Sequence, residues 1–243
     1  MTTIYEARDH ILIHTGYRDP DRHRHMASQI ILSMDGHMEL MLEDRSVRCR
    51  GAMIPSGVSH CIHTEGSDAL VFLCDNTAGI SAQIRTVQCI PEEVCSDILK
   101  SYADFERNEI PYGQFYGTFL ECIGITGARC RVTDGRILEA MAYIRARVSD
   151  GVTCREAAEA VCLSQSRFSH LFRKETGMTF ASYLVSQRIL YVYAQRFRGE
   201  SLTEAAIEAG FSSSAHFADV NRRVFGLTAS SITREWVFRI AEI

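Results

Sequence analysis

The sequence contains no apolar run long enough to cross a bilayer and no charged-then-apolar leader at its start. These absences exclude a bundle of membrane helices and a cleaved secretory signal. Nine cysteines, at 49, 61, 74, 89, 95, 122, 130, 154 and 162, include no C-x-x-C pair. An odd set without paired spacing argues against a disulfide frame and for mostly buried thiols in a reducing, cytoplasmic setting. A large excess of basic charge is missing too: 26 Lys and Arg face 30 Asp and Glu, for a net charge of −4. The charge is unevenly spread. Residues 1–133 carry 12 basic against 18 acidic side chains, and residues 134–243 carry 14 against 12. That asymmetry permits a polyanionic partner for the second half without demanding one, and implies few phosphate contacts. A chain of 243 residues is longer than one compact core usually needs, so two domains are expected.

In the first half, short apolar runs alternate with turns. Strands are expected at 11–15, 28–33, 37–42, 46–50, 52–54, 60–63 and 69–74, separated by Met34-Asp35-Gly36, Glu43-Asp44-Arg45, Pro55-Ser56-Gly57 and Glu65-Gly66-Ser67-Asp68. Many short strands predict a sandwich or small barrel. His23, His25 and Gln29 share a face if their segment is extended. His60 opens a later strand. His10, His14, His37 and His63 are placed at the surface or in strand pairing.

The spacing Gly16, His23-Arg24-His25, Gln29, Gly36, followed by Pro55-x-Gly57-x-x-His60, resembles the two motifs of the cupin superfamily. Gln29 stands where that family favours Glu, and Thr64 where it favours Asn. The resemblance implies a small β-barrel over about the first 75 residues. It also implies that His23, His25, Gln29 and His60 line a metal or ligand site. Imidazoles suit a divalent transition metal (Zn, Ni, Cu or Fe), and an amide in place of a carboxylate removes a charge from it. The alternative is a polar lining for an organic ligand.

Pro91-Glu92-Glu93 starts a helix expected to reach residue 108, with proline at its first position and acids in the first turn. A second helix is expected over 112–125. Their apolar stripes serve a core or pair with a second copy of the chain. Residues 125–133 read as an interdomain linker.

The second half repeats itself. Thr153-Cys154-Arg155-Glu156-Ala157-Ala158 recurs at an offset of 48 as Ser201-Leu202-Thr203-Glu204-Ala205-Ala206. Both copies open with a capping box. Leu163-Ser164 recurs as Phe211-Ser212, and one residue further on Phe168, Leu171, Arg173-Lys174 and Gly177 recur as Phe217, Val220, Arg222-Arg223 and Gly226. Each copy predicts a helix, a tight turn and a second helix, which is the arrangement that presents a helix to DNA. An apolar helix over 180–197 joins them. Within 163–177, Phe168, Leu171 and Phe172 make the buried stripe, which turns Ser166, Ser169, His170 and Arg173 outward.

Leu163-Ser164, Leu171-Phe172-Arg173-Lys174-Glu175-Thr176-Gly177, Tyr183-Leu184, Arg188, Gly210-Phe211-Ser212, Phe217, Phe225-Gly226 and Thr228 resemble the AraC/XylS family of bacterial transcription regulators. The likeness covers about residues 135–236. It implies that two reading helices enter successive major grooves, contacting double-stranded DNA through Gln165, Ser166, Arg167, Ser169, His170 and Arg173, and through Ser214, Ala215, Ala218, Asp219, Arg222 and Arg223. His170 and Asp219 stand where the family favours arginine. Asn221 stands in place of a core Phe, a loss of on the order of 3 kcal/mol if nothing fills the space. Ala229 replaces a usual Pro. The first unit is therefore expected to carry most base discrimination, with the second positioned on phosphates through Arg222 and Arg223.

The expected architecture is α+β. Residues 1–80 form a cupin-like sensing barrel, 81–133 a helical linker that could dimerise, and 134–243 an all-α DNA-binding domain with helix-turn-helix units at 153–177 and 201–226. The expected function is a cytoplasmic, sequence-specific transcription regulator, not an enzyme. It would answer to a small molecule or metal, act as a homodimer and meet RNA polymerase. The rivals are a metal-dependent cupin enzyme and a degenerate regulator working through protein partners.

Overall fold

In the computed structural model, residues 2–7, 10–16, 22–24, 27–74, 79–125, 132–225 and 237–241 are described. The chain divides into two compact units, Met1–Arg129 with Glu235–Ile243, and Cys130–Arg234.

The first unit contains β1 (Thr3–Glu6), β2 (His10–Gly16), β3 (Ser28–Ser33), β4 (Met38–Met41), β5 (Ser46–Cys49), β6 (Gly51–Ile54), β7 (Cys61–His63), β8 (Asp68–Cys74), α1 (Gly79–Gln83), β9 (Gln88–Ile90), α2 (Glu92–Glu106) and α3 (Tyr112–Cys122). A last strand, β10 (Val237–Ile240), returns from the far end of the sequence. The described strands group into two sheets, β10-β1-β2-β8-β3-β6-β9 and β5-β4-β7. All pairings are antiparallel except β1 with β10. That last strand lies in the stretch read from sequence as DNA-binding domain. It covers the hydrogen-bonding edge of β1, which would otherwise stand open.

β3 and β8 are central, and nearly every residue in them is buried. A strand covered on both faces loses the alternation that marks a half-exposed one. Ile30, Leu32, Leu70 and Phe72 face α2 and α3, while Ile31, Val71 and Leu73 are buried on the opposite face. Phe72 stacks on Phe119 at 4.0 Å between centroids. The helices set apart as a linker thus share the first unit's core: Cys95, Ile98, Leu99, Tyr102, Phe115 and Phe119 all belong to it. Gly51 allows this approach, since a Cβ there would come within 2.7 Å of Cys95 Sγ. Polar groups lock the same seam. Tyr5 donates to Glu106, and Tyr102 meets His14 Nδ1 at 3.0 Å. His10 pairs with Cys74 of β8, one of the two placements expected for it, and its buried ring lies 2.6 Å from the Tyr112 hydroxyl and stacks on Tyr116.

The second unit is helical: α4 (Gly135–Ala146), a 3-10 turn (Val148–Asp150), α5 (Cys154–Ala160), α6 (Gln165–Thr176), α7 (Phe180–Phe197), α8 (Leu202–Glu208) and α9 (Ser214–Phe225). α7 packs against α6, α8 and α9. Gly226, Thr228 and Ala229 lie outside the described residues. Among the described residues, no helix is long and apolar enough to cross a membrane. Four of the eight described cysteines (49, 61, 74 and 95) are buried, and none of the eight is in a disulfide.

Candidate nucleic-acid interface

The first helix-turn-helix unit is built by its caps. Thr153 Oγ1 accepts from Glu156 N, and the Glu156 carboxylate accepts from Thr153 N at 2.8 Å, completing the capping box of α5. After α5 the chain turns through Cys162, at φ 55°, and Leu163 N donates back to Ala158 O at 2.9 Å. Ser164 then caps α6, and Gly177 closes it in the left-handed conformation. Phe168 and Phe172 are fully buried against each other and against Phe180 and Tyr183. This anchoring leaves Gln165, Ser166, Arg167, Ser169, His170 and Arg173 exposed. Arg173 and Lys174 occupy the last turn of α6, where positive charge suits the helix dipole.

The second unit repeats the N-cap and the turn, but the Glu204 carboxylate meets the Ser201 hydroxyl, and the reciprocal bond of the expected capping box is shown only in the first unit. Ser201 caps α8, and Phe211 N donates to Ala206 O at 3.0 Å, the counterpart of Leu163 on Ala158. Gly210, at φ 84°, holds the position of Cys162, and Arg188 of α7 closes against it, with Nη1 donating to Gly210 O at 3.3 Å. Here glycine answers both the backbone angle and the lack of space. Ser213 Oγ accepts from His216 N at the start of α9. Ala215, Asp219, Arg222 and Arg223 are exposed, while Ser214 and Ala218 are half-buried. Asp219 forms an ion pair with Arg223 at 2.9 Å, one turn along. One of the two arginines expected on phosphate is therefore already engaged by a carboxylate.

The structure also reveals what replaces the missing ring at Asn221. This side chain is fully buried, and Tyr193 of α7 donates to its Oδ1 at 2.5 Å. Burial raises the Tyr193 pKa, holding the phenol in its donor form. Asn221→Ala and Tyr193→Phe are each expected to cost about 1–2 kcal/mol, and less than the sum when combined. Urea denaturation of the single and double variants measures this. A second residue missed in the sequence is Glu175. Its carboxylate accepts from Thr133 N at 2.8 Å, Asp134 N at 3.1 Å and Thr133 Oγ1, tying the start of α4 to the end of α6. Those bonds, led by the Thr133 amide, hold its pKa below the usual carboxylate range.

In the first unit, His23, Gln29 and His60 come together. His23 and His60 exchange backbone hydrogen bonds of 3.0 and 2.9 Å, and their rings lie 4.7 Å apart. His25 lies outside the described residues. Burial lowers the pKa of both rings to about 4; for His60 the Val58 carbonyl opposes the shift, and His23 and Arg22 add to it. His60 Nδ1 lies 2.9 Å from the Val58 carbonyl oxygen, and its Nε2 lies 2.9 Å from Gln29 Oε1. A metal would have to displace Gln29 to reach Nε2. Among the described residues no group of three His, Cys, Asp or Glu side chains could hold a metal ion.

Two capped helix-turn-helix units, each presenting a polar helix face and joined by one long helix, define a double-headed DNA-binding module. Residues 157–235 match the helix-turn-helix domain family model. The probable transcriptional regulator LumQ of Photobacterium leiognathi is 26% identical over 228 residues, covering 85% of this chain and 89% of that protein. The arabinose operon regulatory protein of Escherichia coli K12 is 31% identical over 102 residues, covering 40% of this chain and 34% of that protein. Of solved structures, ToxT from Vibrio cholerae O395 shares the fold, with a TM-score of 0.60, 12% identity and 95% of both chains covered. Residues 157–235 thus form a helix-turn-helix DNA-binding domain, and the chain resembles AraC-type transcriptional regulators.

Proposed function

We propose that the protein recognises a specific sequence of double-stranded DNA and alters transcription there in response to a small organic effector held by the first unit. The exposed face of α6 carries this reading: hydrogen-bonding side chains and arginine stand outward while two phenylalanines hold the helix from behind. Such a face suits base edges in a major groove. α9 serves mainly to position the protein on the backbone, since its outer face offers alanine, aspartate and a partly neutralised arginine pair. Full-length protein selected against random duplexes tests this. A single enriched motif supports it, and recovery of no preferred sequence overturns it.

Asp219→Ala is expected to release Arg223 and raise affinity for all duplexes by about three-fold, with a steeper salt dependence. Fluorescence anisotropy across a salt series checks this.

For the effector, an organic ligand is favoured over a divalent transition metal because protein oxygens already stand 2.9 Å from both ring nitrogens of His60. A solved ToxT structure carries an unsaturated fatty acid, which makes organic acids the first probes to try here. Native mass spectrometry of protein purified without chelator distinguishes an organic adduct from a metal and reports whether the chain is a homodimer. Contact with RNA polymerase is part of the same proposal, and the regulatory names of the relatives favour it over enzymatic activity.

A further inference from the structure

α5 places one side chain beside the reading face. Cys154, the first residue of α5, is half-buried, and its Sγ lies 3.4 Å from Ser169 Oγ on α6. The contact joins two helices whose connecting turn is closed by the Leu163 N to Ala158 O bond. An exposed serine hydroxyl otherwise turns among three rotamers, each aiming its hydrogen and lone pairs differently. A hydrogen bond to sulfur takes up one of its directions and leaves the rest toward the open face. We infer that Cys154 is a positioning residue for base reading, holding the Ser169 hydroxyl in one orientation for the groove. The inference rests on α6 being the base reader.

The thiol does this with little bulk and no charge. A serine at 154 could keep the bond; an alanine could not. The test uses full-length protein and a random duplex pool, comparing wild type with Ser169→Ala, Cys154→Ala, Cys154→Ser and the double alanine variant. Ser169→Ala should lose preference at one base pair. Cys154→Ala should lose about three-fold preference at the same base pair, with the others unchanged. The double variant should lose no more than Ser169→Ala alone, and Cys154→Ser should restore the wild-type pattern. Unchanged preference in Cys154→Ala, an equal loss at every position, or additive losses in the double variant would each overturn the inference. No change at any base pair in Ser169→Ala would instead remove the base-reading assignment of Ser169, and this role of Cys154 with it.

Discussion

Full-length protein carrying Ser169→Ala with His170→Ala is expected to lose about 30-fold in its preference for its selected DNA site over random duplex, with random-duplex affinity nearly unchanged. The figure follows from two base contacts worth about 1 kcal/mol each, at the low end for side chains that make single rather than paired hydrogen bonds. Both residues are exposed, and neither belongs to the Phe168–Phe172 anchor, so the fold should survive the change. Asp219→Ala on α9 should behave oppositely. It removes a carboxylate that faces solvent and pairs with Arg223, so affinity rises for every sequence while preference is kept. The contrast separates reading from positioning, because phosphate contacts fix register but carry no sequence information. Competition binding with site-bearing and random duplexes measures both quantities together. Equal losses of preference from α6 and α9 variants would refute the division of labour.

The second unit was legible because its rules are local. A capping box, a tight turn and a glycine stop each span only a few residues, and their repetition, the first two at an offset of 48 and the glycine one residue later, meant that each copy supported the other. The structure closes both turns through equivalent bonds, Leu163 to Ala158 and Phe211 to Ala206. What stayed hidden there depends on contacts distant in sequence. Asn221 looked like a hole until Tyr193, 28 residues away, supplied its partner. Cys154 and Ser169 meet across two helices. In the first unit, strand positions followed from turns, but which strand pairs with which did not. The fully buried β3 gives no alternation to show which face it turns to a neighbour. α2 and α3 were read as a linker because an amphipathic stripe reports that a face is buried, never against what.

Acid is expected to weaken the first unit strongly, and the sign follows from the two central histidines. Both rings titrate near pH 4 in the folded chain, against 6.5 ordinarily. The unfolded chain therefore takes up protons first as pH falls. Above about pH 7 both states are neutral and stability is unaffected by these groups. Between pH 6.5 and 4 it drops, by up to about 3 kcal/mol per ring, and below pH 4 the two states again bind equally. Burial is the leading cause for both rings, so the effect belongs to a dry interior and should respond little to salt. Glu6 works the other way: burial raises its pKa, so its folded form keeps a proton that the unfolded form gives up as pH rises. A variant isolates the histidine contribution. His60→Gln keeps a hydrogen-bonding side chain beside Gln29 and removes one titrating ring. Hydrogen exchange at the amides of β3 and β8, followed from pH 7 to 4.5, reports the first unit alone. The wild type should lose protection steeply below pH 6.5, and His60→Gln about half as steeply. Identical slopes in the two proteins would mean that the rings are already solvated in the folded state, and that the pairing of His23, Gln29 and His60 is not a closed polar core.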